Sequence, residues 1–430
     1  MSARRAVAIV DGEHYPDVVR HALEELDDDV VAAVLVGGTE KLRGDAIDLG
    51  VPLEASLEEA VAGHRPDVVV DLSDEPVLTP PERFALASRA LALGLPYEGP
   101  DFRLDPPELA PVDVGSLAVI GTGKRVGKTA VTGHVARLLS VSRDVVVVAM
   151  GRGGPPEPET VRVPPTVSAL LELSRHGRHA ASDHLETAVV AGVTTVGCRR
   201  CGGGLAGAVA VSNVREGASV AAGLRPDLVV FDGSGAAVPP VAAARRVLVT
   251  SAAQPIEIAA GYLNDYRARI SDLVVVTMAE PDAPHEALRD AMRRLARPDV
   301  AVIRAVLRPR PLEQVDGRTV AFFGTAPDEQ HGRLAAHLEE TYGARVRGVS
   351  GSLSNRARLR EDLTAMDADV FVVELKAAAI DVVAEEAERR GIDVVLAAND
   401  VEPLPGEPSL DDELERLAAE AVALAPEAVR

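Results

Sequence analysis

Leu117-Ala118-Val119-Ile120-Gly121-Thr122-Gly123-Lys124-Arg125-Val126-Gly127-Lys128-Thr129-Ala130-Val131 reads as a buried strand, a glycine-rich turn and the start of a helix. Glycines let successive backbone N–H groups close around a phosphate, and the helix N-terminus adds partial positive charge. In this pattern Lys128 reaches the β- and γ-phosphates of a nucleotide and the Thr129 hydroxyl ligates Mg²⁺. The expected nucleotide-binding residues are Gly121, Thr122, Gly123, Lys124, Arg125, Val126, Gly127, Lys128 and Thr129, with Lys124 and Lys128 taking part in catalysis. The strict spacing asks for glycine six places before the lysine. Thr122 stands there instead, between two glycines. Lysine usage supports the reading. The chain has four lysines, Lys41, Lys124, Lys128 and Lys376, and arginine carries the other positive charges. Lysine is a compact point charge that arginine replaces poorly in such a loop.

Outward from this loop, short valine-rich runs alternate with Ala/Leu/Arg/Glu segments of helical length. Examples are 68–70, 145–148, 228–230, 274–276 and 370–373. Continuous apolar runs suit parallel strands buried on both faces, and the alternation predicts an α/β fold with right-handed crossovers. Three blocks are expected: an N-terminal α/β domain at 1–112, a P-loop catalytic domain at 113–310 and a C-terminal α/β domain at 311–430. The fold class is thus a P-loop NTPase-like parallel sheet core flanked by Rossmann-like domains. The proline-rich stretch from Pro100 to Pro111 reads as one linker, and Pro309 with Pro311 as a second joint. From Ser409 onward the chain reads as an acidic amphipathic helix.

The bulk numbers narrow the function. The 430 residues are 47% apolar but only 3% aromatic, with no Trp, so valine, alanine and leucine must fill the cores. A net charge of −21 argues against a nucleic-acid binder. No apolar run approaches the ~20 residues that span a bilayer, and no signal-peptide core precedes the first strand. Two cysteines give no disulfide framework. The expectation is a cytoplasmic enzyme without membrane or nucleic-acid partners. An acidic protein that binds anions must gather its cations locally.

Several loops after strands offer them. Leu228-Val229-Val230-Phe231-Asp232-Gly233-Ser234-Gly235 ends a strand in a carboxylate, where P-loop enzymes hold the metal-side acid; Asp232 is expected to be catalytic and, with Thr129, to ligate Mg²⁺. Arg152, in Gly151-Arg152-Gly153-Gly154, could hold a substrate phosphate. Asp183, His184 and Glu186 cluster after a helix-capping Ser182 and are candidate substrate or metal ligands. In Cys198-Arg199-Arg200-Cys201, Arg199 and Arg200 could bind an anion. The cysteine pair could be half of a zinc site or a redox pair. Lys376, two residues after Glu374, is a further substrate-binding candidate. Asp11-Gly12-Glu13-His14-Tyr15, Ser354-Asn355-Arg356 and Asn399-Asp400 are weaker ones.

These segments together resemble the cyclic 2,3-diphosphoglycerate synthetase family. The marks are Asp11 to Tyr15, Tyr97-Glu98-Gly99, the loop 121–129, Gly151 to Pro155, Ser182 to Glu186, Cys198 to Gly204 and Asp232 to Gly235. The loop itself, Gly121-Thr122 followed by Val126-Gly127-Lys128-Thr129, also looks like that of dethiobiotin synthetases. The resemblance implies that ATP, with Mg²⁺, converts 2,3-bisphosphoglycerate to its cyclic anhydride, releasing ADP and phosphate through a phosphorylated intermediate. A homodimer is expected. Competing readings are a ligase that activates another acid, as in dethiobiotin or cobyrinic acid chemistry, a nucleotide-dependent switch or metallochaperone, and a partition-type ATPase.

Overall fold

The structure, a computed structural model, describes residues 3–37 and 47–425; Lys41 lies outside them. The chain builds two sheets. The first contains β1 (Arg5–Asp11), β2 (Asp29–Val36), β3 (Leu53–Glu54), β4 (Val68–Asp71), β5 (Tyr97–Gly99) and β6 (Phe102–Leu104), in the order β3-β2-β1-β4-β5-β6. It is parallel except for the final β5–β6 hairpin.

The second sheet has thirteen strands. Its first half contains β7 (Ser116–Gly121), β8 (Val145–Gly151), β9 (Glu159–Val161), β10 (Thr195–Cys201), β11 (Val211–Ser212), β12 (Leu228–Asp232), β13 (Arg245–Ser251) and β14 (Leu273–Thr277). It continues through β15 (Ala301–Pro311), β16 (Thr319–Phe323), β17 (Arg345–Ser350), β18 (Val370–Glu374) and β19 (Asp393–Pro403). The order is β11-β10-β8-β12-β7-β13-β14-β15-β19-β18-β16-β17, with β9 alongside β10. The P-loop strand β7 is therefore central, paired in parallel with β12 and β13.

Strand alternation divides the valines between the two faces. In β8, Val146 and Val148 enter one core with Ile120 and Phe231. Val145 and Val147 enter the opposite core with Leu117, Val131 and Leu139. Burial on both faces is why these strands read as unbroken apolar runs rather than alternating ones.

Two expected linkers are structural elements. Pro309 and Pro311 lie inside β15, which pairs in parallel with β14 through its first residues and antiparallel with β19 through its last. Leu312 donates its N–H to Leu396 on the β19 side, whereas Ala279 donates to the Ala305 carbonyl on the β14 side. Odd-numbered residues of β15 thus face the side that β14 has left, and the prolines need no N–H there. The sheet runs through the position read as a joint. The stretch from Pro100 to Pro111 forms β6 and then pairs at Ala110 with Val241 of the central domain.

The tail helix Leu410–Ala423 folds back onto the central sheet beside the P-loop helix Lys128–Leu139. Leu410, Leu414 and Leu417 are buried in the core with Val135, each contributing roughly 1.5–3 kcal/mol. Ser409 caps this helix by accepting from the Asp412 N–H. His134–Asp411, Arg143–Glu415 and Arg245–Glu420 contacts line its rim. The N-terminal domain docks on the short helix Asn264–Arg269, where Leu263 and Tyr266 join its core. Among the described residues, no helix is long and apolar enough to cross a membrane.

Candidate active site

A cleft of about 1090 Å³ opens at the carboxyl ends of the central strands, between the P-loop and the C-terminal domain. Such crevices are where open parallel sheets bind ligands. Gly121 ends β7, and a Cβ there would meet the Lys128 side chain at 3.0 Å. Gly127 has φ +82° and starts the P-loop helix, so Lys128 and Thr129 are the first residues after the turn. Thr122 is 4% exposed. Its hydroxyl donates to Gln254 Oε1 at 2.6 Å and lies 3.1 Å from Thr250 Oγ1. The threonine at the place of the usual glycine thus ties the loop to β13. Thr277 of β14 holds the other end, donating to the Val126 carbonyl at 2.8 Å.

Asp232 ends β12, adjacent to β7, and is 5% exposed. Thr132 of the P-loop helix donates to its Oδ1 at 3.0 Å. Burial pushes the Asp232 carboxyl up to about 6, against the opposing pull of Lys128 and the Thr132 hydrogen bond. The Asp232 carboxylate and the Thr129 hydroxyl, in the same cleft lining, are oxygen donors of the kind a divalent cation takes.

The lining of the cleft falls into two groups of residues that differ in chemistry, a polar arm and an apolar arm. The polar arm carries Arg152, Asp183, Glu186, Asp232, Glu374 and Lys376. Asp183 and Glu186 come from the helix Asp183–Ala191, and Lys376 from the loop after β18 in the C-terminal domain. Lys376 Nζ lies 3.8 Å from Glu186 and 3.7 Å from Glu374. Burial pushes the Glu186 carboxyl up to about 8; Lys376 counteracts this, while Asp183, Glu374 and Asp232 add to it. Burial alone would lower the Lys376 ammonium, but Glu374 and Glu186 outweigh it and raise the pKa. Asn399 donates to Glu374 at 2.5 Å. The apolar arm is walled by Ala252, Pro255, Met278, Ala283, Pro284 and Leu334. Two of its acids are paired, Glu280 with Arg308 at 2.6 Å and Asp282 with Arg333 at 3.1 Å.

The remaining sequence candidates stand around the cleft in different ways. Arg200 is buried behind it, its Nη2 donating to the Ser234 carbonyl at 2.7 Å, so it braces the turn after Asp232 rather than lining the cavity. Arg199 is exposed on the opposite face of β10, away from the cleft lining. His184 packs against Gly197, where a Cβ would lie 2.5 Å from the ring. Burial lowers its pKa and its Nε2 has no hydrogen-bond partner. Cys198 is buried against Gly217 and Cys201 is exposed. Three residues apart on a strand, they point to opposite faces and cannot converge on one ion. Among the described residues no group of three His, Cys, Asp or Glu side chains could hold a metal.

In the N-terminal domain, Asp11 accepts from the backbone of Glu13 and Asp74 and from His14, closing that motif on itself. Ser354 lines the cleft, but Asn355 caps the helix Arg356–Ala365 and Arg356 pairs with Asp381. Asp400 pairs with Arg137 and Arg310. Sequence reasoning missed Gln254, Met278, Asn264 and Arg267. None belongs to a motif: Gln254 and Asn264 bond the P-loop at Thr122, Met278 lines the cleft, and Arg267 bonds Asn264.

A parallel sheet with a central P-loop strand, a lysine and threonine at its helix start and a buried acid on the neighbouring strand define a P-loop nucleotide-dependent protein. The sequence matches three family profiles: the N-terminal domain of cyclic 2,3-diphosphoglycerate synthetase over residues 5–105, its P-loop domain over 116–306 and its C-terminal domain over 311–400. A protein named cyclic 2,3-diphosphoglycerate synthetase in Rubrobacter xylanophilus is 52% identical, with 96% of this chain and 97% of that one aligned. Proteins of the same name in Methanothermobacter thermautotrophicus and Methanothermus fervidus are 42% and 41% identical, covering 91% and 92% of this chain and equal shares of theirs. The chain belongs to the cyclic 2,3-diphosphoglycerate synthetase family.

Proposed function

We propose that the cleft uses ATP to close 2,3-bisphosphoglycerate into its cyclic anhydride, with the nucleotide along the apolar arm and the bisphosphate in the polar arm. The supporting observation is that Lys128, Asp232, Arg152 and Lys376, drawn from four loops and two domains, line one cavity. Neither substrate phosphate has a good leaving group, so ring closure needs activation. The γ-phosphoryl group moves from ATP to an oxygen of one substrate phosphate, leaving ADP. An oxygen of the other phosphate then attacks the activated phosphorus. The P–O bond to the added phosphoryl group breaks, and inorganic phosphate leaves with the bridging oxygen. Holding both reacting groups in one site replaces an encounter in solution with a step between aligned neighbours.

In this reading Lys128 meets the transferring phosphoryl group, joined by Lys124, which is exposed on the same loop. Arg152 and Lys376 take the phosphates of the smaller substrate, with Asp183 and Glu186 oriented around them. Thr129 and Asp232 fit a magnesium ion, which when bound neutralises charge on the nucleotide phosphates. The apolar arm suits a purine ring, with Glu280 and Asp282 held by Arg308 and Arg333. A net charge of −21 sets nucleic acid aside as a partner, and we place the reaction in the cytoplasm.

The test is ADP and phosphate release from ATP with and without 2,3-bisphosphoglycerate, following the organic product by phosphorus NMR. Equal amounts of ADP, phosphate and cyclic anhydride are expected. A folded, ATP-binding protein with no turnover dependent on 2,3-bisphosphoglycerate would reject this substrate.

A further inference from the structure

Beneath the phosphate-binding loops lies a buried cation without a carboxylate. Arg267 is 3% exposed. A guanidinium has five N–H donors, and here five hydrogen bonds leave it. Nε and Nη2 donate to the Ala236 carbonyl at 2.9 and 2.6 Å. Nη2 also donates to the Leu205 carbonyl at 3.1 Å. Nη1 donates to the Leu263 carbonyl at 2.9 Å and to Asn264 Oδ1 at 3.2 Å. Among the described residues no acid forms an ion pair with it. Burial lowers its pKa to about 10, so it stays charged at neutral pH. A cation in such a place is costly unless its donors are satisfied, and these are satisfied by the loops themselves.

Asn264 extends the arrangement. With Oδ1 occupied by Arg267, its amide is oriented so that Nδ2 donates to Thr122 O at 3.3 Å and Ile258 O at 2.7 Å. One Arg–Asn pair therefore grips the P-loop at Thr122, the turn after Asp232 at Ala236 and the glycine-rich loop at Leu205. The same short helix is the dock for the N-terminal domain. Leu263 and Tyr266 are part of that domain's core, and Phe84 meets Tyr262 edge-on at 5.4 Å and 62°.

We propose that Arg267 is a positioning residue that fixes the P-loop and the Asp232 turn relative to each other, and that the N-terminal domain supports catalysis by buttressing the helix that carries it. Phosphoryl transfer depends on sub-ångström placement of such loops, and Arg267, which holds two of the segments directly, reaches the third through Asn264. The proposal rests on the cleft binding ATP but not on the identity of the second substrate.

The full-length chain carrying Arg267→Met, Arg267→Lys or Phe84→Ala tests it, through ATP affinity by titration calorimetry without the second substrate, and through kcat and KM with it. Arg267→Met is expected to lower kcat about 100-fold and weaken ATP binding about tenfold, leaving the bisphosphate KM within threefold because Arg152 and Lys376, which take the bisphosphate, form no bond with Arg267. Arg267→Lys, which keeps the charge, recovers part of the loss, and Phe84→Ala lowers kcat several-fold. ATP affinity and kcat within twofold of wild type in a natively folded Arg267→Met protein overturn the proposal. If that variant does not fold, wild-type values in both Arg267→Lys and Phe84→Ala overturn it. ATP affinity is read without the bisphosphate, so a wrong second substrate leaves this result intact.

Discussion

The two arms of the cleft treat charge in opposite ways. In the apolar arm, Glu280 and Asp282 are each matched to an arginine, at 2.6 and 3.1 Å, and form a wall. In the polar arm, Glu186 and Glu374 share a single lysine at 3.7–3.8 Å, and Asp183 and Asp232 form no ion pair among the described residues. Charges that neutralise one another make structure. Acids left without a partner in a buried place carry a standing free-energy cost, which a proton or a bound cation relieves. The imbalance marks the polar arm as the place where a cation accompanying the phosphates is held.

The largest break in this contrast is expected from Asp232→Asn. Losing the acid beside Lys128 should lower kcat about 100–1000-fold. The pH profile sharpens the point. Burial pushes the free carboxyl up to about 6, so it is expected to be protonated below that pH and then a poor metal ligand. At limiting Mg²⁺, wild-type activity should rise as pH increases through about 6, and excess Mg²⁺ should move that limb lower by favouring the carboxylate. The Asn variant should lack the limb.

Lys376→Met removes the one cation that the acids share. A charge-assisted contact is worth about 1.5–3 kcal/mol, so the bisphosphate KM should rise roughly 10–100-fold while the ATP KM holds. Met278→Ala is the reverse case: it thins the apolar wall and should raise the ATP KM roughly tenfold with the bisphosphate KM unchanged. Both constants moving together in either variant would merge the two arms into one site. The smallest effect is expected from Arg199→Ala, which sits off the cleft and should leave both constants within twofold in steady-state assays.

The P-loop and its strand were legible because phosphate binding imposes a local pattern: glycines, a lysine and a hydroxyl at fixed spacing. Asp232 was legible for the same reason, as an acid ending a buried run. Lys376 stood out through the scarcity of lysine, although its partners came from another domain. The prolines of β15 read as a joint because sequence does not reveal which edge of a strand is paired. The Cys198–Arg199–Arg200–Cys201 run read as one unit, but strand alternation splits it between two faces. Arg267 and Asn264 were invisible because their roles depend on three segments far apart in sequence.

The most direct test of the account is the fate of oxygen in the released phosphate. With ¹⁸O in the non-bridging positions of both substrate phosphates, activation by ATP predicts that each inorganic phosphate carries one ¹⁸O, transferred from the substrate during ring closure, and that Lys128→Ala releases none. Phosphate carrying only unlabelled oxygen, formed alongside the cyclic product, would contradict the phosphorylated intermediate and with it the division of the cleft into an activating and an accepting arm.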